Sequence, residues 1–348
     1  MFPLTIPHKH LIIVSTTLLL YSTTTFGQDD FHKFLEAGAD DASAIYESYT
    51  SPLFSGLNFA FSRGWYNTAK AHKPLGFDFS LNVSIAFVPD KDLFYPASEV
   101  TDRWVANGGN TQFATGTGVT QYPTMVGPQS PKPVIQVRNP ITGQFETTGE
   151  FEGPVGFNYA NDLIPKATPV ALPQFGIGLY KNTDLKFRFL PSVGSDDVKL
   201  QMFGIGLMHD IKQWIPGNSL IPIDISILVA YSNIDFEVRN IDNVQGNEAI
   251  FELGAWTYNL LVSKELHVIT FYGGLGYVNS TNTIDLIGEY DVEANLNPIV
   301  DPVSIKTSDS GFGGTLGFRL KLAVLTINAE YTLQEYNTLS FGLGVALR

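Results

Sequence analysis

Seven charged residues stand on stretches that otherwise alternate apolar with small side chains: Asp78, Lys186, Arg188, Asp224, Arg319, Lys321 and Glu330. Charges of both signs on faces shared with Gly, Ser and Asn can brace a narrow polar interior or select a charged solute. The mixture of signs favours bracing, and these residues are read as lumen-facing candidates. Other constellations carry less chemistry. His209-Asp210 is the one histidine beside a carboxylate, and no HExxH or CxxC spacing exists. Ser263 and His267 flank one turn but lack the third group that would orient a base. Asp285, Glu289, Asp291, Glu293 and Asp301 offer oxygens for calcium without the spacing of a calcium loop, so they read as a solvated acidic loop. Gly176-Ile177-Gly178 and Gly204-Ile205-Gly206 are strand glycines on a crowded face, not nucleotide loops. No catalytic, metal or cofactor site is expected, and the chain is read as non-enzymatic.

The elements that must position the seven charges are strands. From Leu75 to Phe87, residues Leu75, Phe77, Phe79, Leu81, Val83, Ile85 and Phe87 form one face, opposite Gly76, Asp78, Ser80, Asn82, Ser84 and Ala86. Side chains of a strand alternate between faces, so one side is apolar and the other small and polar. The stretch is long enough to cross a bilayer, which takes about 9–11 tilted residues. Gly311–Leu322 and Leu325–Leu333 repeat the pattern, with Ala323-Val324 as the turn. That turn pairs Leu322 with Leu325, Leu320 with Ile327 and Phe318 with Ala329, and sets Arg319 opposite Asn328. Leu339–Arg348, Phe175–Tyr180, Leu185–Phe189 and Ile223–Tyr231 alternate likewise. Val198–Ile211 changes parity near Met202-Phe203, which suggests a bulge, and a tight turn is expected at Ser263–Leu266.

The 348 residues include 32 Gly and no cysteine, and carry a net charge of −13. That charge speaks against nucleic acid as a partner. A mean hydropathy of only +0.06 suits a barrel in which alternate residues avoid lipid. A soluble β-sandwich would also alternate, but its outer faces would carry Lys and Glu rather than Gly, Ser and Asn. Aromatic residues near strand ends (Trp65-Tyr66, Phe94-Tyr95, Trp256, Tyr258, Tyr331, Tyr336) match interfacial girdles. The expected fold is therefore all-β: a closed antiparallel up-and-down transmembrane β-barrel of about 12 strands, range roughly 10–14, with a short N-terminal helical segment. Eleven strand candidates include Leu57–Ser62; bacterial barrels close with an even number, so one is false or one hides in 90–169.

Residues 1–27 read as a signal peptide with an apolar core, Leu11–Leu20, ahead of Gln28. Residues 28–55 read as a helical segment, with Asp40 and Asp41 as caps and Ser51-Pro52 as its end. Residues 56–348 form the barrel, with long insertions at 90–169 and 279–310.

Gly64-Trp65-Tyr66-Asn67-Thr68-Ala69-Lys70, His209-Asp210-Ile211-Lys212-Gln213-Trp214-Ile215-Pro216 and the ending from Ala329 through Gly344 resemble an uncharacterised family of Gram-negative outer-membrane β-barrel proteins. A looser likeness, resting on the helical segment before the first strand, is to fatty-acid-transporter barrels with an N-terminal plug. These resemblances imply location in the outer membrane, outer-membrane lipid and the barrel-assembly machinery as partners, and no assigned activity. The expected function is passage or capture of a small apolar solute, with Asp29–Ser55 and part of Asp90–Pro169 as plug and gate. The alternative is a non-transport structural or surface-display protein of the envelope.

Overall fold

The structure, a computed structural model, describes residues 32–139, 141–157, 166–241, 244–291 and 298–347. The expected signal peptide at 1–27, Glu293 of the acidic loop and the terminal Arg348 lie outside the described residues. Ten strands close into one antiparallel barrel. They are β1 (Phe77–Phe87), β2 (Ala167–Leu179), β3 (Thr183–Gly194), β4 (Val198–Asp210), β5 (Asp224–Arg239), β6 (Glu248–Leu266), β7 (Ile269–Ile287), β8 (Val303–Leu322), β9 (Leu325–Leu333) and β10 (Thr338–Leu347). Each strand pairs with its neighbour in sequence, and β1 closes on β10 from Phe77↔Leu347 to Ala86↔Thr338. Closure leaves no sheet edge whose backbone groups lipid could not satisfy.

The hairpin of β8 and β9 has the register expected of it: Leu322↔Leu325, Leu320↔Ile327, Phe318↔Ala329 and Arg319↔Asn328. Ala323 takes φ 57°, as a two-residue hairpin turn requires. The strand number is ten, at the low end of the expected range, because the candidate at Leu57–Ser62 is false. Those residues belong to an α-helix, α1 (Ala39–Phe61), except Ser62, which caps it. Ser51-Pro52 does not end that helix. Pro52 is buried inside it, and burial of Phe54, Phe59 and Phe61 offsets an interior proline that costs about 3 kcal/mol. Gly38 is the N-cap, with Asp40 and Asp41 in the first turn.

Three further expectations are corrected. β4 runs through Met202-Phe203 without a register shift; the irregularity lies across the ladder in β3, between Leu190 and Val193. Ser263–Leu266 is strand, and the turn falls at His267-Val268. Most of 279–310 is also strand, which leaves only 288–302 as the connection between β7 and β8.

This last correction exposes the barrel's main feature. β6, β7 and β8 span 19, 19 and 20 residues, about twice what a bilayer needs. Their side-chain parity is unbroken, yet polarity inverts part-way along. In the half nearer the short turns, Val262, Leu260, Tyr258 and Trp256 of β6 point out and are exposed, and Ser263, Asn259 and Thr257 point in. In the other half Glu252 and Glu248 point out, and Ala255, Leu253, Phe251 and Ala249 are buried inside. β7 changes from Phe271, Leu275 and Tyr277 outside to Asn279, Thr281, Thr283 and Asp285 outside. β8 changes from Phe318, Leu316 and Phe312 to Ser310, Ser308, Lys306 and Ser304. The first half meets lipid; the second stands in water around an apolar core. We call them the membrane tier and the outer tier.

That core takes in α1 and a cap built from residues 88–157. The cap holds helix α2 (Ala97–Ala106), a two-stranded pair (Phe94–Pro96 with Gln121–Pro123) and a three-stranded sheet (Thr111–Phe113, Val134–Arg138, Phe145–Glu152). Tyr95 and Tyr336 are buried in this core rather than placed at an interface. Ala167–Pro169, expected in the insertion, are the start of β2.

Candidate functional site: a lumen filled by the chain itself

The strand glycines point to what lies inside. A side-chain carbon at Gly204 or Gly206 would come within 3.2 or 3.0 Å of the Trp65 ring. One at Gly178 would stand 2.2 Å from the carbonyl oxygen of Lys73. The wall is thinned to admit residues 62–76, which link α1 to β1 through the lumen.

The segment is held at successive depths. At the short-turn end, Leu75 N–H donates to the Gly178 carbonyl at 2.9 Å and Gly178 N–H to that of Gly76 at 2.7 Å. Asp184, fully buried, accepts the His72 backbone N–H at 2.8 Å through one oxygen and meets His72 Nδ1 at 2.8 Å through the other. His72 Nε2 stands 3.6 Å from Asp78 Oδ1. Asp78 and Lys186 both crowd the space over Gly176. Near the same end, Ala69 donates its N–H to Ser263 Oγ at 2.9 Å and accepts from Ser226 Oγ at 2.5 Å. Further along the segment, Tyr66 meets Tyr272 edge-on at 5.8 Å. Glu330 accepts from Gly64 N–H and from the Tyr272 hydroxyl, each at 3.1 Å. Gly64 has φ +72°, a left-handed turn at the point where the chain leaves the helix.

Arg188 ties the segment to the helix. It is fully buried, and it donates to the carbonyls of Phe61 and Arg63 at 2.6 Å each and to Gln174 Oε1 at 3.0 Å. Its guanidinium lies 3.8 Å from the Trp65 ring centre. The Phe61 carbonyl is among the last of α1, where a helix has unsatisfied acceptors and partial negative charge, so a cation there is favoured. Removing one partner from a buried network of this kind costs about 1–3 kcal/mol, more where the group left behind is charged. Arg63 is itself bound to Gln334.

In the outer tier α1 packs its apolar side chains against the wall. Phe54 meets Phe251 at 5.7 Å and Phe59 stacks on Tyr336 at 5.5 Å. Polar ties add to it: Asn58 donates to Asn282 at 2.8 Å, and Trp104 Nε1 of α2 donates to the Asp41 carbonyl at 2.8 Å. Burial raises the Asp41 carboxyl above its ordinary range, although Thr111 and Asn107 donate to it.

Five of the seven predicted lumen charges, Asp78, Lys186, Arg188, Arg319 and Glu330, are buried in the wall's inner face. Asp224 and Lys321 are half-buried near the short-turn rim. Sequence reasoning missed what these charges hold: His72, Asp184, Gln174 and Tyr272. It also set Trp65 and Tyr66 at the membrane interface, whereas both are buried inside. The available signal was the small inner face at Gly176, Gly178, Gly204 and Gly206, which demands a filler. Ser263 and His267 are not brought together, since Ser263 faces the segment and His267 is exposed in its turn. His209 pairs with Thr183 at 2.8 Å and lies against Trp214.

A family model described as "Family of unknown function (DUF6588)" matches residues 8–347. The chain belongs to that family. Among curated proteins, none matches the sequence. Solved structures with a likeness to this DUF6588 chain include three at low identity. The attachment invasion locus protein Ail of Yersinia pestis is 7% identical, with 79% of this chain and 99% of that one covered and a TM-score of 0.23. The translocator domain of autotransporter NalP from Neisseria meningitidis is 10% identical, with 90% and 99% covered and a TM-score of 0.28. The toluene transporter TodX of Pseudomonas putida is 8% identical, with 79% and 89% covered and a TM-score of 0.23. The closed barrel with its lipid-facing apolar belt makes this DUF6588 chain an outer-membrane protein in its own right.

Proposed function

We propose that this protein is a non-enzymatic barrel closed by its own N-terminal segment, which serves at the cell surface through what its outer tier and cap present. The observation that carries the reading is the clamp of Arg188 on the carbonyls of Phe61 and Arg63. The occluding element is a covalent part of the chain, fixed to the inner wall. Outer-membrane lipid surrounds the membrane tier, and the barrel-assembly machinery is the proposed partner for insertion.

A second reading keeps passage or capture of a small apolar solute, with α1 and part of the cap as plug and gate. The apolar packing of α1 against Phe251 and Tyr336 favours it, because withdrawal of the helix would leave an apolar track. Conductance and hydrocarbon uptake in reconstituted vesicles separate the two. The full chain should be silent in both assays, and deletion of 32–61 combined with Arg188→Ala and Trp65→Ala should open a conductance. Uptake of toluene or a fatty acid by the unaltered chain would overturn the first reading in favour of the second.

A further inference from the structure

We infer that this barrel carries its own N-terminal segment to the outside of the cell, so that α1 and the end of the chain before β1 lie on the opposite side of the outer membrane from the C-terminus. The argument is topological. Bacterial barrels have short periplasmic turns and longer external loops. The connections at 180–182, 267–268 and 323–324 are short and share one end, and Leu347 of β10 lies there, paired with Phe77 of β1. That end also carries 211–223, while the other end carries 88–166, 195–197, 240–247, 288–302 and 334–337, so the connections there are longer in sum and include by far the longest. Ten strand crossings alone return a chain to the side it left.

Here the chain before Phe77 does not remain in the periplasm. It climbs through the lumen, touching Gly178, Asp184, Ser263 and Ser226 near the short-turn end, and Arg188 farther along β3. The fifteen residues from Ser62 to Gly76 reach at most about 50 Å when extended, enough for a hydrocarbon core of about 30 Å. α1 then continues into the outer tier, where Tyr49 O–H donates to the Val155 carbonyl of the cap and Arg103 of α2 pairs with Glu47. The lumen transit is thus one more crossing. With the strands closed around this segment, the barrel holds α1 on its outer side.

The absence of cysteine makes the test direct. Single cysteines are placed in the full chain at Asp40, which is exposed at the start of α1, at Asp196 in the β3–β4 connection, and at Tyr180 in a short turn. Intact cells are treated with a membrane-impermeant maleimide, and heat-modifiable gel mobility verifies that each variant is folded. Asp40→Cys should label to the same extent as Asp196→Cys, and Tyr180→Cys only after the outer membrane is permeabilised. If Asp40→Cys does not fold, Ala39→Cys takes its place. Labelling of the α1 cysteine only after permeabilisation, together with Tyr180→Cys, overturns the inference, as does labelling of Tyr180→Cys in intact cells.

Discussion

The membrane tier and the outer tier are built from the same strands in one unbroken register, and they have opposite chemistry. Along β6, Trp256 and Leu260 turn outward to lipid, and Glu252 and Glu248 turn outward to water. Inside, Thr257 and Asn259 give way to Phe251 and Leu253. A period-two element reverses its faces only through a bulge, a slip or a change of surroundings. No bulge interrupts the pairing of β5 with β6, of β6 with β7 or of β7 with β8, so the surroundings change. One sheet is a lipid-solvated wall below and the shell of an apolar core above.

The inner positions give the largest expected contrast. Phe251→Ala should destabilise the outer tier by about 3–5 kcal/mol through the cavity it leaves. Thr257→Ala, six residues along the same face, should cost about 1 kcal/mol or less. Urea unfolding in lipid vesicles checks both, and equal losses would break the two-tier description. The outward positions follow. Leu275→Arg should cost about 2–4 kcal/mol if it lies near the bilayer midplane, whereas Thr283→Arg should stay within about 0.5 kcal/mol, as a surface substitution in water does. A comparable penalty at Thr283 would mean that lipid reaches the outer tier.

A pH effect sharpens the contrast further. The raised Asp41 pKa means that the folded outer tier favours the protonated carboxyl. This contribution is fully present below the ordinary value of 3.8 and is lost as pH rises through the folded value. Asp41→Asn should therefore gain on the parent in protease resistance of the cap between pH 4 and pH 7; a growing disadvantage would reverse the sign. The smallest effect belongs to Lys70–Glu265, an exposed 2.7 Å pair at the short-turn rim. Lys70→Ala should shift stability by about 0–1 kcal/mol, less at high salt. A larger loss would show that the segment is anchored at its rim rather than in its depth.

The membrane tier was legible in the sequence because each of its strands satisfies two solvents at once. Leu320 and Leu322 must face one way when Arg319 and Lys321 face the other, and a two-residue turn then allows a single register. The outer tier was not legible for the same reason. Asn279, Thr281, Thr283 and Asp285 interleave with Val278, Ser280, Asn282 and Ile284, and a polar outer face in a membrane barrel reads as a loop. α1 was read short because Pro52 normally ends a helix and because Leu57, Phe59 and Phe61 fit either period. Among the site residues, the wall charges could be found because they stand on strands of clear parity. Their partners could not, since His72 and Asp184 lie 112 residues apart and the segment carrying His72 has no period of its own.

The seam between β1 and β10 has a consequence for the order of events in folding. It joins residue 77 to residue 347, the most distant pairing in the barrel, so it is the contact a chain made in sequence can complete last. Once it zips, the wall is continuous, and Trp65 lies behind backbone on every side. The segment must therefore be in place before that final pairing, which makes closure a commitment step rather than one that later contacts can correct. A barrel that sealed early would be trapped empty, with Arg188 and Glu330 facing water. Supplying residues 32–76 afterwards as a separate peptide would rescue it only by way of unfolding.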